Sequence, residues 1–505
     1  MKWITSISIN NYRAFPSAYK IVEIPTNHHV LIYGENGSGK TSVYQAVKDF
    51  FNSSANISQG YELNLFSKNT GNNTGSITIE ISELDANGNL ISKNTYAFGN
   101  PDNLSTHRIS TVQLANKVKG FIDYKRLLKT HFIETKPGQN PNLFKLVIEN
   151  LLSDHLIKKP VGGGVSDFPL SDQWERIKKD ILFKDLRYNA HIRALAELPA
   201  FEASLRQLLI MVFTEFKRLI QTYFDKKLEI NVNLSKIEFD RKKWKIKEEL
   251  FLEIKYAGEE ITSYHTFINE ARLSALGICI YLAAIKTYPP DASELKILYL
   301  DDVFIGLDTG NRLPLLKLLK NEFVNKGYQF FISTYDRQWF ETARTWLQQE
   351  KCELKCLELY VNDSDGNPTT ADIPVIIDPS LCFYDKAKHH FEHKDYPAAA
   401  NYLRKTCENE IKRILPRNMV LRADNVTGEI KKIETLDALI DKFFQFLTKN
   451  NIDQAAFLHF KTYKKILLNP LSHDDLESPH YRQEIIDGIN IVNELQKIKS
   501  KEIIK

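Results

Sequence analysis

Apolar positions along the chain fall into two rhythms. Short continuous apolar runs that end on glycine or aspartate, as in VLIYGENGSGKT and LKILYLDD, predict buried strands. A third such run, YQFFISTYD, follows them. Between these runs, FEASLRQLLIMVFTEFKRLIQTYF spaces its apolar residues as one face of a helix, while LEINVNLSKIEFD and LFLEIKYAG return to strand. From about Asp378 the period is helical to the end. SLCFYDKAKHHFEHKDYPAAANYLRKTCENEIKRIL predicts a helical hairpin, with Asp395 capping and Pro397 near the start of its second helix. Further helices are expected over 431–449, 452–468 and 479–500. The pattern gives four segments: an N-terminal lobe over 1–140, a helical insertion over 141–228, a second lobe over 229–377 and an all-helical module over 378–505. The fold class expected is an α/β head with a short helical insertion, followed by an all-α domain.

Composition narrows the picture without changing it. A chain of 505 residues, 43% hydrophobic and 26% charged, is long enough for two to four ordinary domains with real cores. No apolar run reaches the ~18 residues of a membrane span. MKWITSISINNYRAF lacks the apolar stretch of a leader, so a cytoplasmic protein with no membrane partner is expected. The five cysteines suit reduced thiols. Cys352 and Cys356 form a CxxxC with no second pair to complete a zinc site. A net charge of +4 is too small to argue for nucleic acid by itself.

The first chemistry lies in VLIYGENGSGKTSVYQAV: strand, glycine loop, helix, with Gly34-x4-Gly39-Lys40-Thr41. Glycines let backbone N–H groups turn inward around phosphate, and the helix N-terminus adds positive partial charge. Gly34, Asn36, Gly37, Gly39, Lys40, Thr41 and Ser42 are therefore the candidate nucleotide contacts. Lys40 is expected on the β/γ-phosphates, and Thr41 on Mg²⁺. LKILYLDDVFIGLD supplies the carboxylates: Asp301 for the Mg²⁺ shell and Asp302 to orient the attacking water. ATP and Mg²⁺ are the ligands implied.

Taken in order, these residues resemble the ABC-type ATPases of the RecF/SMC/Rad50 class, over roughly residues 1–375. INNYRAF is similar to the first strand of that class, with Arg13 near the nucleotide, and Gln113 in STVQLANKV stands as its Q-loop residue. YHTFINEARLSALGICIYLAA resembles the signature, with Asn269 for its serine and Ala271 for its second glycine. Asp308 in GLDTGNR matches the D-loop, and Tyr335 stands where the class has a switch histidine. Asp302 replaces the usual glutamate, so slow hydrolysis is expected. The resemblance implies a homodimer in which each head closes the other's nucleotide site, or a higher oligomer built on it. The insertion has no CxxC for a zinc hook and is expected to pack as a lobe, not a long coiled coil.

On the second helix of the C-terminal hairpin, Ala400, Leu403, Cys407, Ile411, Ile414 and Leu415 form an apolar arc at 100° per residue. Arg404 falls within that arc and Glu408 at its edge, spaced to pair. Arg-x3-Glu on one helix, with Asn469 and His473 in LLNPLSHDD, resembles the HEPN ribonuclease superfamily, above all the anticodon-nuclease ABC ATPases. The resemblance implies a metal-independent nuclease triad of Arg404, Glu408 and His473, with RNA (tRNA) as target. A structural Arg–Glu–His network fits the same residues. Three functions follow: an ATP-gated ribonuclease of anti-phage defence, a non-nucleolytic ATPase holding a separate nuclease effector and sensing DNA or phage proteins, and a RecF-like DNA-repair ATPase.

Overall fold

The computed structural model describes residues 1–498 except 56–58, 70, 72, 101–105, 107–108, 129–141, 162–163, 184–188, 262–269, 289–292, 363–372, 379–382, 393–395, 417–418, 424–429, 433–434, 458–459 and 461–481. The chain divides into two units, Met1–Ile377 and Asp378–Lys505.

The first unit opens with β1 (Lys2–Tyr12), β2 (Phe15–Glu23) and β3 (His29–Gly34), then α1 (Lys40–Ser53) and the short α2 (Leu65–Asn69). After these come β4 (Gly75–Leu84), β5 (Leu90–Asn100), α3 (Ser110–Val118), β6 (Gly120–Asp123) and α4 (Tyr124–Leu128). The insertion holds a π-helical segment (Lys145–Leu151), β7 (Leu156–Val161), β8 (Gly164–Pro169), α5 (Leu170–Leu182) and the 35-residue α6 (Asn189–Tyr223). Strands resume as β9 (Leu228–Leu234), β10 (Glu238–Asp240), β11 (Lys245–Lys247), β12 (Leu250–Tyr256) and β13 (Glu259–Ile261). A helix over Glu270–Lys286 leads to β14 (Lys296–Asp301), and a helix over Thr309–Glu322 leads to β15 (Tyr328–Thr334). The unit closes with a helix over Arg337–Gln349, β16 (Leu354–Asn362) and β17 (Ile373–Ile377).

The central sheet runs β17-β16-β3-β15-β14-β6 and is parallel apart from β17. Its central strands β3 and β15 are buried along their whole length because both faces are covered. Leu31, Tyr33, Leu298, Leu300, Phe330 and Ile332 face one core, shared with α5, α6 and the Glu270–Lys286 helix. Val30, Ile32, Ile297, Tyr299, Phe331 and Leu359 alternate onto the other, against α1 and the antiparallel sheet β2-β1-β4-β5. The insertion joins the first of these cores through Trp174, Phe201, Leu209 and Phe216, so it is a packed lobe as expected. It is not purely helical, because Leu156–Val161 (β7) pairs antiparallel with Gly164–Pro169 (β8). Among the described residues no helix is long and apolar enough to cross a membrane.

In the second unit, helices over Phe383–Glu392, Tyr396–Ile414, Leu436–Lys449 and Arg482–Lys497 enclose a core of Leu403, Cys407, Ile411, Phe443 and Val492. One expectation is corrected. The helix placed over 431–449 begins at Leu436, because Ile430–Lys432 (β19) pairs antiparallel with Leu421–Ala423 (β18). Of the helix placed over 452–468, residues 458–459 and 461–468 lie outside the described residues; those described hold a 3-10 turn at Ala455–Phe457 and a helical Phe460. The helical period at 431–435 reflects apolar spacing alone, and strand pairing with the segment just before it overrides it. Asp395 lies outside the described residues.

Candidate functional site: a phosphate loop facing paired aspartates

Strand order creates the site. β15 lies between β3 and β14, and the loops after all three strands leave the same edge of the sheet, where parallel α/β sheets hold ligands. Gly34, the last residue of β3, is fixed as glycine by crowding. A Cβ there would lie 2.4 Å from Ser38 Oγ and 2.9 Å from the Leu359 carbonyl. Gly39 sits at φ +98° as the N-cap of α1, with Phe15 packed beside it. No side chain caps α1 and no acidic residue occupies its first turn, so its N–H groups and positive end remain available to an anion. Asn36 and Gly37 are exposed at the loop tip, and Ser42 is buried one turn in.

Lys40 curls back into the loop. Its Nζ donates to the Gly34 carbonyl at 2.7 Å and the Glu35 carbonyl at 3.1 Å, and lies 3.8 Å from Asp302 Oδ2. Thr41 Oγ1 donates to Asp301 Oδ2 at 2.8 Å, joining the loop to the end of β14. Asp301 also accepts from Ser333 Oγ, its register partner on β15. Burial raises the Asp301 pKa against these two hydrogen bonds. Asp302 leaves the strand at φ +55°, a left-handed conformation that aspartate tolerates better than most residues. Its Oδ1 accepts from the Tyr335 backbone N–H at 3.0 Å. Burial pushes the Asp302 pKa up to about 6; Lys40 opposes that rise and the Asp301 charge adds to it.

The remaining predicted residues divide. Arg13, at φ +48°, ion-pairs with Glu62 at 3.5 Å, and its neighbours Ala14 and Phe15 border Gly39, so it is carried to the loop. Asp308 is exposed and caps the Thr309–Glu322 helix, accepting from the Asn311 N–H at 2.9 Å. Arg312 on that helix pairs with Asp336 at 2.6 Å, which ties the segment after Asp308 to the turn carrying Tyr335. Tyr335 itself is 42% exposed. Gln113, on α3, donates its amide to the Ser54 carbonyl just beyond the C-terminal end of α1 at 3.5 Å. Asn269 lies outside the described residues, and so do Asn469 and His473.

Two site residues escaped sequence reading. Ser333 was signalled only by a hydroxyl inside an apolar strand. Asp123 ends β6 in register with Asp301, and its charge adds to the rise in the Asp301 pKa. In the second unit, Arg404 Nε stands 3.3 Å from Glu408 Oε1, with both side chains about one-fifth exposed (24% and 21%). Among the described residues no cluster of histidine, cysteine or acid side chains forms a metal cage, and Cys352 and Cys356 are buried free thiols.

The donors fit a Mg²⁺–nucleotide pair. Thr41 and Asp301 offer hard oxygens, few enough to suit an ion that shares its shell with phosphates and water. The glycine cradle and the uncapped helix end suit the phosphates themselves.

Residues 3–356 match the family model described as the RecF/RecN/SMC N terminal domain. No curated protein matches the chain. Among solved structures, an SMC head bound to the C-winged helix domain of ScpA is 12% identical and covers 75% of this chain and 98% of its own, at a TM-score of 0.38. A second, an SMC head with an extended coiled coil from Pyrococcus furiosus, is 12% identical, covering 78% and 100%, at a TM-score of 0.36. The SMC head domain from Thermotoga maritima is 14% identical, covering 75% and 99%, at a TM-score of 0.31. With 354 of 505 residues inside the family match, and a phosphate loop facing paired aspartates within it, the chain belongs to the RecF/RecN/SMC N-terminal domain family of ATPases.

Proposed function

We propose that this protein is an ATP-driven switch whose heads pair around bound nucleotide and hydrolyse it slowly. The observation that carries the reading is the Thr41–Asp301 contact at 2.8 Å, with Asp302 set between Lys40 and the Tyr335 N–H. Lys40 exchanges its loop carbonyls for β/γ-phosphate oxygens. Thr41 and Asp301 hold Mg²⁺, which when bound neutralises phosphate charge. Asp302 takes the proton of the attacking water. Being one methylene shorter than glutamate and tethered at Oδ1, it reaches that water poorly, which favours long-lived bound states over fast turnover. Asn269 and Asp308 of one head serve the nucleotide of the other, so a homodimer is the minimum assembly.

Light scattering tests this directly. ATP is expected to convert wild-type protein to a dimer or larger species, and Lys40→Ala to abolish both ATP binding and the conversion. Wild-type ATP affinity in Lys40→Ala would overturn the site assignment.

The Arg404–Glu408 pair favours a second reading for the C-terminal unit, a metal-independent ribonuclease gated by the head and used in defence against phage. Arg404 would stabilise phosphate charge and His473 remove the 2′-OH proton. Incubation with total RNA, with and without ATP, decides between this and a scaffold for a separate effector. Cleavage lost in His473→Ala at unchanged folding supports the nuclease, and no cleavage by wild type refutes it.

A further inference from the structure

A group of charges that the nucleotide site does not use gathers around the second half of α1. Lys48 lies on α1, Lys119 stands between α3 and β6, Arg126 belongs to α4, and Asp154 follows the π-helical segment of the insertion. Arg126 Nη2 ion-pairs with Asp154, and the Arg126 carbonyl accepts from Asn150 Nδ2 at 2.9 Å, which ties the two segments together. Lys119 Nζ donates to the Asn116 carbonyl at 3.1 Å and to the Asn116 side chain, and Lys48 Nζ lies 5.9 Å from the centre of the Tyr44 ring. Among the described residues neither lysine has a carboxylate within ion-pair distance. The other acids nearby are engaged elsewhere. Asp49 accepts from Tyr12 and Gln45 at 2.6 and 2.7 Å, and Asp123 Oδ1 accepts from the Arg126 backbone N–H at 2.9 Å.

Three cations therefore share one carboxylate. Partial burial raises the Asp154 pKa, but Arg126, Lys48 and Lys119 more than offset it and hold the group below its ordinary value. Burial lowers the Lys119 pKa to about 8; Asp154 opposes that fall, and Lys48 and Arg126 deepen it. Lys48 is lowered as well, by burial first and by Arg126 next. Donors are also left over. Arg126 Nη1 and the Tyr44 hydroxyl are buried without a hydrogen-bond partner among the described residues. Excess charge and unmet donors are costly in a partly buried site unless an acceptor answers them. Asp154 is the loosely held member: its side chain is 50% exposed against 14% for Arg126, and its other contact is the adjacent Ser153 hydroxyl at 3.3 Å.

We propose that this cluster binds a phosphate group, which takes the place of the Asp154 carboxylate against Arg126, Lys48 and Lys119. The occupant is a small anion and not a polymer backbone, because the cations are partly buried and converge on one carboxylate instead of lining a surface. Phosphate carries more charge and more acceptor oxygens than that carboxylate, and it suits the planar fork of a guanidinium. The site stands apart from the phosphate loop, since Lys48 lies eight residues beyond Lys40 on α1, about 12 Å along the helix.

The test is isothermal titration calorimetry on the full chain carrying Lys40→Ala, which disables the phosphate loop, with inorganic phosphate and ribose 5-phosphate as probes in chloride buffer. Saturable binding of inorganic phosphate is expected. Adding Lys119→Met, which keeps the aliphatic stem, should weaken it about tenfold, the loss of one charge-assisted hydrogen bond. Adding Asp154→Asn should strengthen it, because the competing carboxylate is gone. Without phosphate that variant should melt below its parent, and phosphate should restore the difference. Ribose 5-phosphate binding as well as the free ion shows that the phosphate group alone is recognised, and its exclusion shows a site for the free ion. Phosphate still held at the loop would be indifferent to Lys119→Met, so a wrong loop assignment is told apart from a failure here. No saturable binding at millimolar phosphate overturns the proposal, as does an affinity unchanged by Lys119→Met or weakened by Asp154→Asn.

Discussion

Asp302→Asn separates charge from geometry more cleanly than any other change at the site. Asparagine tolerates the left-handed backbone at φ +55° and can still accept the Tyr335 N–H, so the loop should keep its shape. What disappears is a carboxylate, 17% exposed, whose pKa rises from 3.8 to about 6. A carboxyl with a raised folded pKa favours the fold while protonated. That advantage is complete below about 3.8 and is lost as pH climbs through 6, where the folded protein must carry a half-buried charge. The shift of about two units corresponds to at most about 3 kcal/mol. The nucleotide-free variant should therefore melt a few degrees above wild type at neutral pH, with the gap closing as pH falls toward 4. Hydrolysis should be lost while ATP binding remains, leaving a longer-lived assembly in light scattering. Wild-type kcat/KM, which reports the free enzyme, should fall tenfold per pH unit below about 6. Equal melting at both pH extremes would refute the buried-charge argument. Wild-type turnover in Asp302→Asn would remove Asp302 as the base.

Other perturbations test separate parts of the molecule. Gly34→Ala places a methyl 2.9 Å from the Leu359 carbonyl, so we expect a loss of about 1–3 kcal/mol in thermal unfolding together with weakened ATP binding; an unperturbed variant would mean the loop is looser than it stands. Glu322 is pushed up by burial but held down overall, to about 2, by hydrogen bonds from Arg218, Lys286 and Tyr223. Its stabilisation is present above about 4.5 and lost as pH falls toward 2, so Glu322→Gln should melt below wild type at neutral pH, with the difference shrinking in acid. A gap independent of pH would show that packing, not charge, is responsible. Arg404→Ala leaves Glu408 partly buried without this contact and should cost about 1 kcal/mol by calorimetry. If RNA cleavage is found, the same variant should abolish it beyond that loss of folded protein.

The nucleotide machinery was legible because its chemistry is local. A phosphate loop needs its glycines, lysine and threonine within eight consecutive residues, and a buried strand ending in two aspartates announces itself by composition. Those features single out Lys40, Thr41, Asp301 and Asp302 as candidates from the sequence alone. Gln113 is the opposite case: one glutamine in an amphipathic stretch carries no local mark, and only the packing of α3 on α1 shows that its amide meets the Ser54 carbonyl. Strand order was equally hidden, since β15 pairs between β3 and β14 across long stretches of chain. Ser333 and Asp123 become site residues only through that pairing with Asp301. The helical period over 431–449 misled because β18 and β19 are joined by backbone hydrogen bonds, which apolar spacing does not encode. Residues close in sequence can specify a loop's chemistry, but the raised pKa of Asp302 is a property of burial, and burial exists only once the sheet has closed around it.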